Sequence, residues 1–127
     1  MPDGQAFRAH PSALYEIRQF VRDRAAAAAL SETMTNDLLL AVSEAAANSI
    51  IHTTTTEIRL SWAMSGECVQ VEIKDLGVFK KRVRMPEVEG TGGHGIALMM
   101  ALVDEVTIHE GTPREPGTLV RLTKCGG

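Results

Sequence analysis

Apolar positions recur along this chain with two different periods. Between Ser31 and His52 the spacing is helical: at about 100° per residue, Leu38, Leu39, Val42, Ala46 and Ile50 fall on one side, and Ala41, Glu44, Asn48 and His52 on the other. Ser31 is placed to cap that helix. Upstream, Pro11 suits the first turn of a helix that carries Leu14, Ile17, Val21, Ala25 and Ala28 on one stripe. A third apolar run predicts a buried helix over residues 95–103. Elsewhere the period is two. Residues 57–64 and 67–74 alternate as half-buried strands, and the short Ser65-Gly66 connection makes them a hairpin. Residues 5–10, 104–110 and 118–123 read as further strands, whereas residues 78–92 follow neither period. There is no repeat and no linker, so residues 1–127 form a single domain. Helices on one face of a mixed, mainly antiparallel sheet give an α+β fold, a two-layer α/β sandwich.

Composition narrows this picture only a little. The 127 residues suffice for one core, and 44% hydrophobic against 4% aromatic content makes that core one of Leu, Ile, Val, Met and Ala. A net charge of −3 supplies no strong basic field, which argues against nucleic acid or an anionic membrane as partner. No segment is long and apolar enough to span a bilayer, and the start Met1-Pro2-Asp3-Gly4 lacks a signal-like run, so the expected location is cytoplasmic. Cys68 and Cys125 are isolated and lack metal-ligand spacing; they read as a small buried hydrophobe and a thiol in the tail. His10 starts a helix, His109 lies in a strand, and His94 fills a loop position between glycines.

Three motifs carry candidate chemistry. Glu44 and Asn48 lie one helical turn apart among small and apolar residues, and Leu40 and Ile51 beside them suggest a partly dry surrounding. A carboxylate there can act as a general base, and an amide oxygen can take a hard cation such as Mg²⁺. Asp75-Leu76-Gly77 ends the strand of residues 67–74; the Asp can accept from an exocyclic amine, and the Gly lets a flat ring come close to the backbone. Gly90-Thr91-Gly92-Gly93-His94-Gly95 opens directly into the third helix, so free N–H groups and the positive end of the dipole meet at an anion site. The run lacks the Gly-Lys-Ser/Thr ending of a P-loop, and it does not follow a strand as a dinucleotide fingerprint does.

In this order, and with Gly117-Thr118 opening the last strand, the motifs resemble those of the GHKL superfamily, and within it the RsbW-type anti-sigma factor serine kinases. Residues 43–52 are similar to that family's N box, and Gly95-Ile96-Ala97-Leu98-Met99 to its helix after the lid. Val103-Asp104-Glu105-Val106 and residues 117–122 resemble its closing segments, so the likeness runs from about residue 6 to 124. The resemblance implies a Bergerat-type ATP-binding fold. It implies transfer of a γ-phosphoryl group to a Ser or Thr of a STAS-domain antagonist, and sequestration of a sigma factor. ATP and Mg²⁺ would be the cofactors. Glu44 would be the base and Asn48 the Mg²⁺ ligand; Asp75 and Gly77 would read adenine, Gly93, His94 and Gly95 would cradle phosphates, and Thr118 would bond near the adenine edge.

Arg18 and Arg22 edge the first helix's apolar stripe one turn apart, as snorkelling side chains do. The resemblance gives this helix a partner-contacting Arg, and Arg18 takes that place when counted back from Glu44; a homodimer stays open. Lys80, Lys81, Arg82 and Arg84 either keep a loop soluble or supply cations to phosphates under a closing lid. Phe79 stands where such families usually carry a second glycine after Gly77, where it would stack under the adenine or block its entry. That departure keeps a catalytically inactive binding module as an alternative. A histidine kinase fragment is a weaker one, since the chain begins at its own first strand without a phosphoacceptor helix.

Overall fold

A computed structural model of the chain describes residues 3–53, 55–77, 94–112, 114 and 116–126. Strand β1 (Asp3–Arg8) leads through a 3₁₀ turn (Pro11–Ala13) into α1 (Leu14–Ala27) and α2 (Glu32–His52). The hairpin of β2 (Glu57–Ser65) and β3 (Cys68–Asp75) follows, and then α3 (His94–Leu102), β4 (Glu105–Glu110) and β5 (Thr118–Cys125). The strands form one five-stranded sheet in the order β1-β2-β3-β5-β4, and all four described pairings are antiparallel. The helices cover one face of it, as a two-layer α+β sandwich requires.

Local chemistry sets the element ends. The Ser31 hydroxyl accepts the Met34 N–H at 3.1 Å and so satisfies one of the free donors at the start of α2. His10 caps the 3₁₀ turn, its Nδ1 accepting the Ser12 N–H at 3.1 Å. β1 stops earlier than its sequence suggests, because the His10 N–H turns back to the Arg8 carbonyl at 2.9 Å. The end of α1 carries no sequence signal. Ala29 takes φ = 56°, and the Leu30 N–H returns to the Ala25 carbonyl at 3.0 Å, a left-handed closure that usually employs glycine.

The core lies between sheet and helices. Ile58, Leu60, Val69, Val71, Ile73 and Leu122 project from the strands, and Ile17, Val21, Leu38, Val42 and Met99 meet them from the helices, all at 0–1% exposure. α2 packs against both α1 and α3 and so forms the middle of the helical layer. Phe7 of β1 and Phe20 of α1 meet edge to face at 5.9 Å, and the Arg24 guanidinium lies 4.0 Å from the Phe20 ring centre.

Two cysteine readings are corrected here. Cys68 and Cys125 are neither a buried hydrophobe nor a free tail thiol: they form a disulfide across β3 and β5. Antiparallel register sets them directly opposite each other, and β5 runs two residues beyond its predicted end to reach that position. A separation of 57 residues along the chain leaves no local trace of the pairing.

Candidate functional site

The alternation of β3 determines where its last residue points. Val69, Val71 and Ile73 face the helical layer, and Asp75 is in phase with them, so a carboxylate occupies a core position and is 0% exposed. Such a group needs hydrogen-bond donors. The Ser49 hydroxyl of α2 donates to Oδ2 at 2.8 Å, and the N–H groups of Gly77 and Thr118 each donate to Oδ1 at 3.2 Å. Burial pushes the Asp75 carboxyl above its ordinary range, against the three hydrogen bonds, of which that from Ser49 opposes it most.

The surrounding backbone is shaped around this carboxylate. Gly117 takes φ = 129°, and a Cβ there would lie 2.7 Å from the Asp75 carbonyl oxygen, so only glycine lets β5 begin this close to the end of β3. Thr55 braces the other flank: its hydroxyl accepts the Leu76 N–H at 3.2 Å and donates to the Glu57 carbonyl at 2.6 Å. Thr53 ties the same segment to α2 through the Ser49 carbonyl at 2.6 Å. The turn after β3 is thus fixed to the C-terminal end of α2 on one side and to β5 on the other.

Asp75, Gly77 and Thr118 therefore meet at one point, as three residues scattered along the sequence. Glu44 and Asn48 lie half-buried on α2, within five residues of Ser49, and neither makes a side-chain hydrogen bond to another described residue. Ala41 and Ala45 beside them are buried, but Leu40 and Ile51 are 52% and 60% exposed, so the dry flank expected for the polar stripe is wet on that side. His94 is the first residue of α3 and not a loop residue, and Gly95 follows it inside the helix. Gly93, Phe79 and the cluster from Lys80 to Arg84 lie outside the described residues. Among the described residues no three His, Cys, Asp or Glu side chains gather as metal ligands.

Arg18 and Arg22 are exposed on α1. The Arg18 Nε donates to the Ser43 hydroxyl at 3.0 Å, which brings Arg18 beside the neighbour of Glu44, whereas Arg22 donates within its own helix, to Gln19 at 3.0 Å. Ser49 and Thr55 are the site residues that sequence reasoning passed over. Ser49 left one signal: a hydroxyl among Ala45, Ala46 and Ile50, in phase with the packed side of α2, calls for a buried partner.

The buried carboxylate beside a glycine turn, under a helix carrying a carboxylate and a carboxamide, defines a class of domain. The family profile of the histidine kinase-like ATPase domain matches residues 7–124, and the chain belongs to that family. ATP is the cofactor that membership implies. The donor set fits it, because Asp75 keeps an acceptor position beyond those its three donors fill, and Gly117 keeps the adjoining strand start free of a side chain.

Solved structures share the fold. The RsbU and RsbW domains of Rv1364c from Mycobacterium tuberculosis match 98% of this chain at 23% identity and a TM-score of 0.77. The histidine kinase domain of a blue-light-activated histidine kinase from Erythrobacter litoralis matches 90% at 21% identity and 0.62. The histidine kinase AdeS from Acinetobacter baumannii matches 98% at 13% identity and 0.57. The chain spans 32%, 59% and 68% of their respective lengths. No curated protein matches it.

Proposed function

We propose that the protein is an anti-sigma factor with serine/threonine protein kinase activity, which phosphorylates a STAS-domain antagonist and sequesters a sigma factor. The observation that carries the reading is the buried Asp75 carboxylate, held by Ser49, Gly77 and Thr118 directly below the helix that bears Glu44 and Asn48. A buried carboxylate with an acceptor position to spare is chemistry for an amine, and the exocyclic amine of adenine is such a group. The order of the motifs, with the fold shared with an RsbW domain, supports the kinase class over others in the family.

ATP supplies a transferable γ-phosphoryl group. Asp75 holds the adenine amine, Gly77 gives the ring access, and Thr118 bonds near the adenine edge. Asn48 offers an amide oxygen to Mg²⁺, a cation that usually takes few protein ligands and completes its shell with phosphates and water. His94 and Gly95 place backbone N–H groups at the start of α3, where the dipole favours phosphate, and Gly93 would add its own to the cradle. Glu44 accepts the proton of the attacking hydroxyl, and positioning does most of the remaining work. Arg18 and Arg22 stand on the partner-facing side of α1, with Arg18 held by Ser43. Incubation of the pure protein with radiolabelled ATP, Mg²⁺ and candidate STAS-domain proteins tests the reading. Label should pass to a Ser or Thr of the antagonist, and Glu44→Gln should slow the transfer about 10²–10⁴-fold while sparing ATP affinity. ATP binding without transfer to any candidate would favour a pure binding module, the reading to which Phe79 lends weight.

A further inference from the structure

Resting on the assignment of Asp75 to adenine, we infer that Ser49 is a positioning residue that sets the base selectivity of the site, by keeping the Asp75 carboxylate an acceptor of an amino group. A carboxylate offers roughly four acceptor positions. The Gly77 and Thr118 amides fill the two on Oδ1, and the Ser49 hydroxyl fills one on Oδ2, so the position left for a ligand shares its oxygen with Ser49. A 6-amino purine can donate into that position. A 6-oxo purine sets a carbonyl oxygen against the carboxylate, and repulsion excludes it.

This discrimination depends on the carboxyl staying ionised, and burial works against that. Once protonated on Oδ2, the same group would donate, and would then suit the 6-oxo ring. Backbone amides cannot guard Oδ2, because both of them point at Oδ1. Among the described residues, the Ser49 hydroxyl is the one donor that does. A Ser within a helix commonly bonds back to the carbonyl one turn earlier, whereas this one spans 26 residues to reach Asp75. Its own backbone is anchored in turn, since the Ser49 carbonyl takes both the Thr53 N–H at 3.2 Å and the Thr53 hydroxyl at 2.6 Å. At 5% exposure, Ser49 is also shut off from bulk water, which would otherwise replace its hydroxyl as a donor.

The test is calorimetric titration of the full chain with ATP and with ITP, which carries a 6-oxo group and an N1–H where ATP has a 6-amino group and a bare N1, for the wild type, Ser49→Ala and Ser49→Thr, with thermal melts to confirm folding. Ser49→Ala should lower the ratio of ATP to ITP affinity by about tenfold or more, equivalent to about 1.4 kcal/mol, and Ser49→Thr, which keeps the hydroxyl, should restore it. A fall in both affinities at an unchanged ratio makes Ser49 merely structural and overturns the inference. So does a ratio that stays low in a folded Ser49→Thr, because the effect would then follow volume and not the hydroxyl. A wild type that binds neither nucleotide overturns the adenine assignment itself, and the inference with it.

Discussion

β3 and β5 lie side by side, and the two ends of the pair differ. At one end Asp75 and Thr118 enclose a buried carboxylate, whose burial disfavours the charge it carries. At the other Cys68 and Cys125 join the same two strands covalently. Near that end the Asp104 carboxylate accepts the Cys125 N–H, and Lys124 bonds the last turn of α3 at Leu102 and pairs with Asp37 of α2 at 3.1 Å. One end thus keeps a polar group in a place that stability alone would give to a hydrophobe, and the other is tied to both layers of the sandwich. Strain or desolvation at a site persists when the surrounding structure over-determines it, and here the ties sit at the far end of the same strands.

Opening the covalent end should have the largest effect on stability. Cys125→Ser, or reduction of the wild type, removes a link across 57 residues and should lower unfolding free energy by about 2–4 kcal/mol in denaturant titrations. Nucleotide affinity should survive the change. A parallel loss of ATP binding would show that the two ends are coupled and not merely joined.

The polar end should answer in the opposite sense. Asp75→Asn should weaken ATP binding by about 1.5–3 kcal/mol, the range for a hydrogen bond to a charged group, as read by calorimetry. Stability should hold or rise. Since the folded state raises the Asp75 carboxyl above its ordinary 3.8, its contribution is fully present below that value and is lost as pH climbs through the raised one. Asp75→Asn should therefore flatten that part of the stability profile, and a destabilised variant at neutral pH would mean that the charge supports the fold.

The smallest change is Ala29→Gly, in the connection between α1 and α2. It relieves a left-handed Ala at φ = 56° and should add about 0.5–1 kcal/mol to stability without touching nucleotide affinity. A neutral result would show that glycine's added freedom in the unfolded chain cancels the relief.

Helices and strands were legible in the amino-acid order, because periods of 3.6 and 2 are local properties of side chains. The α2 stripe, the hairpin at Ser65-Gly66 and the strands that follow α3 all appear in that way. So does the inward phase of Asp75, since residues 69, 71, 73 and 75 share one face of any strand through them. Some boundaries do not: the end of α1 rests on an Ala where a Gly is expected, and β5 continues to Cys125. What faces what emerged only on folding. The pairing of Cys68 with Cys125, the reach of Ser49 to Asp75 and that of Arg18 to Ser43 join residues 57, 26 and 25 positions apart. Such contacts follow from strand register and from the way helices sit on the sheet, and both are set by burying the whole apolar face at once and not by any window of sequence.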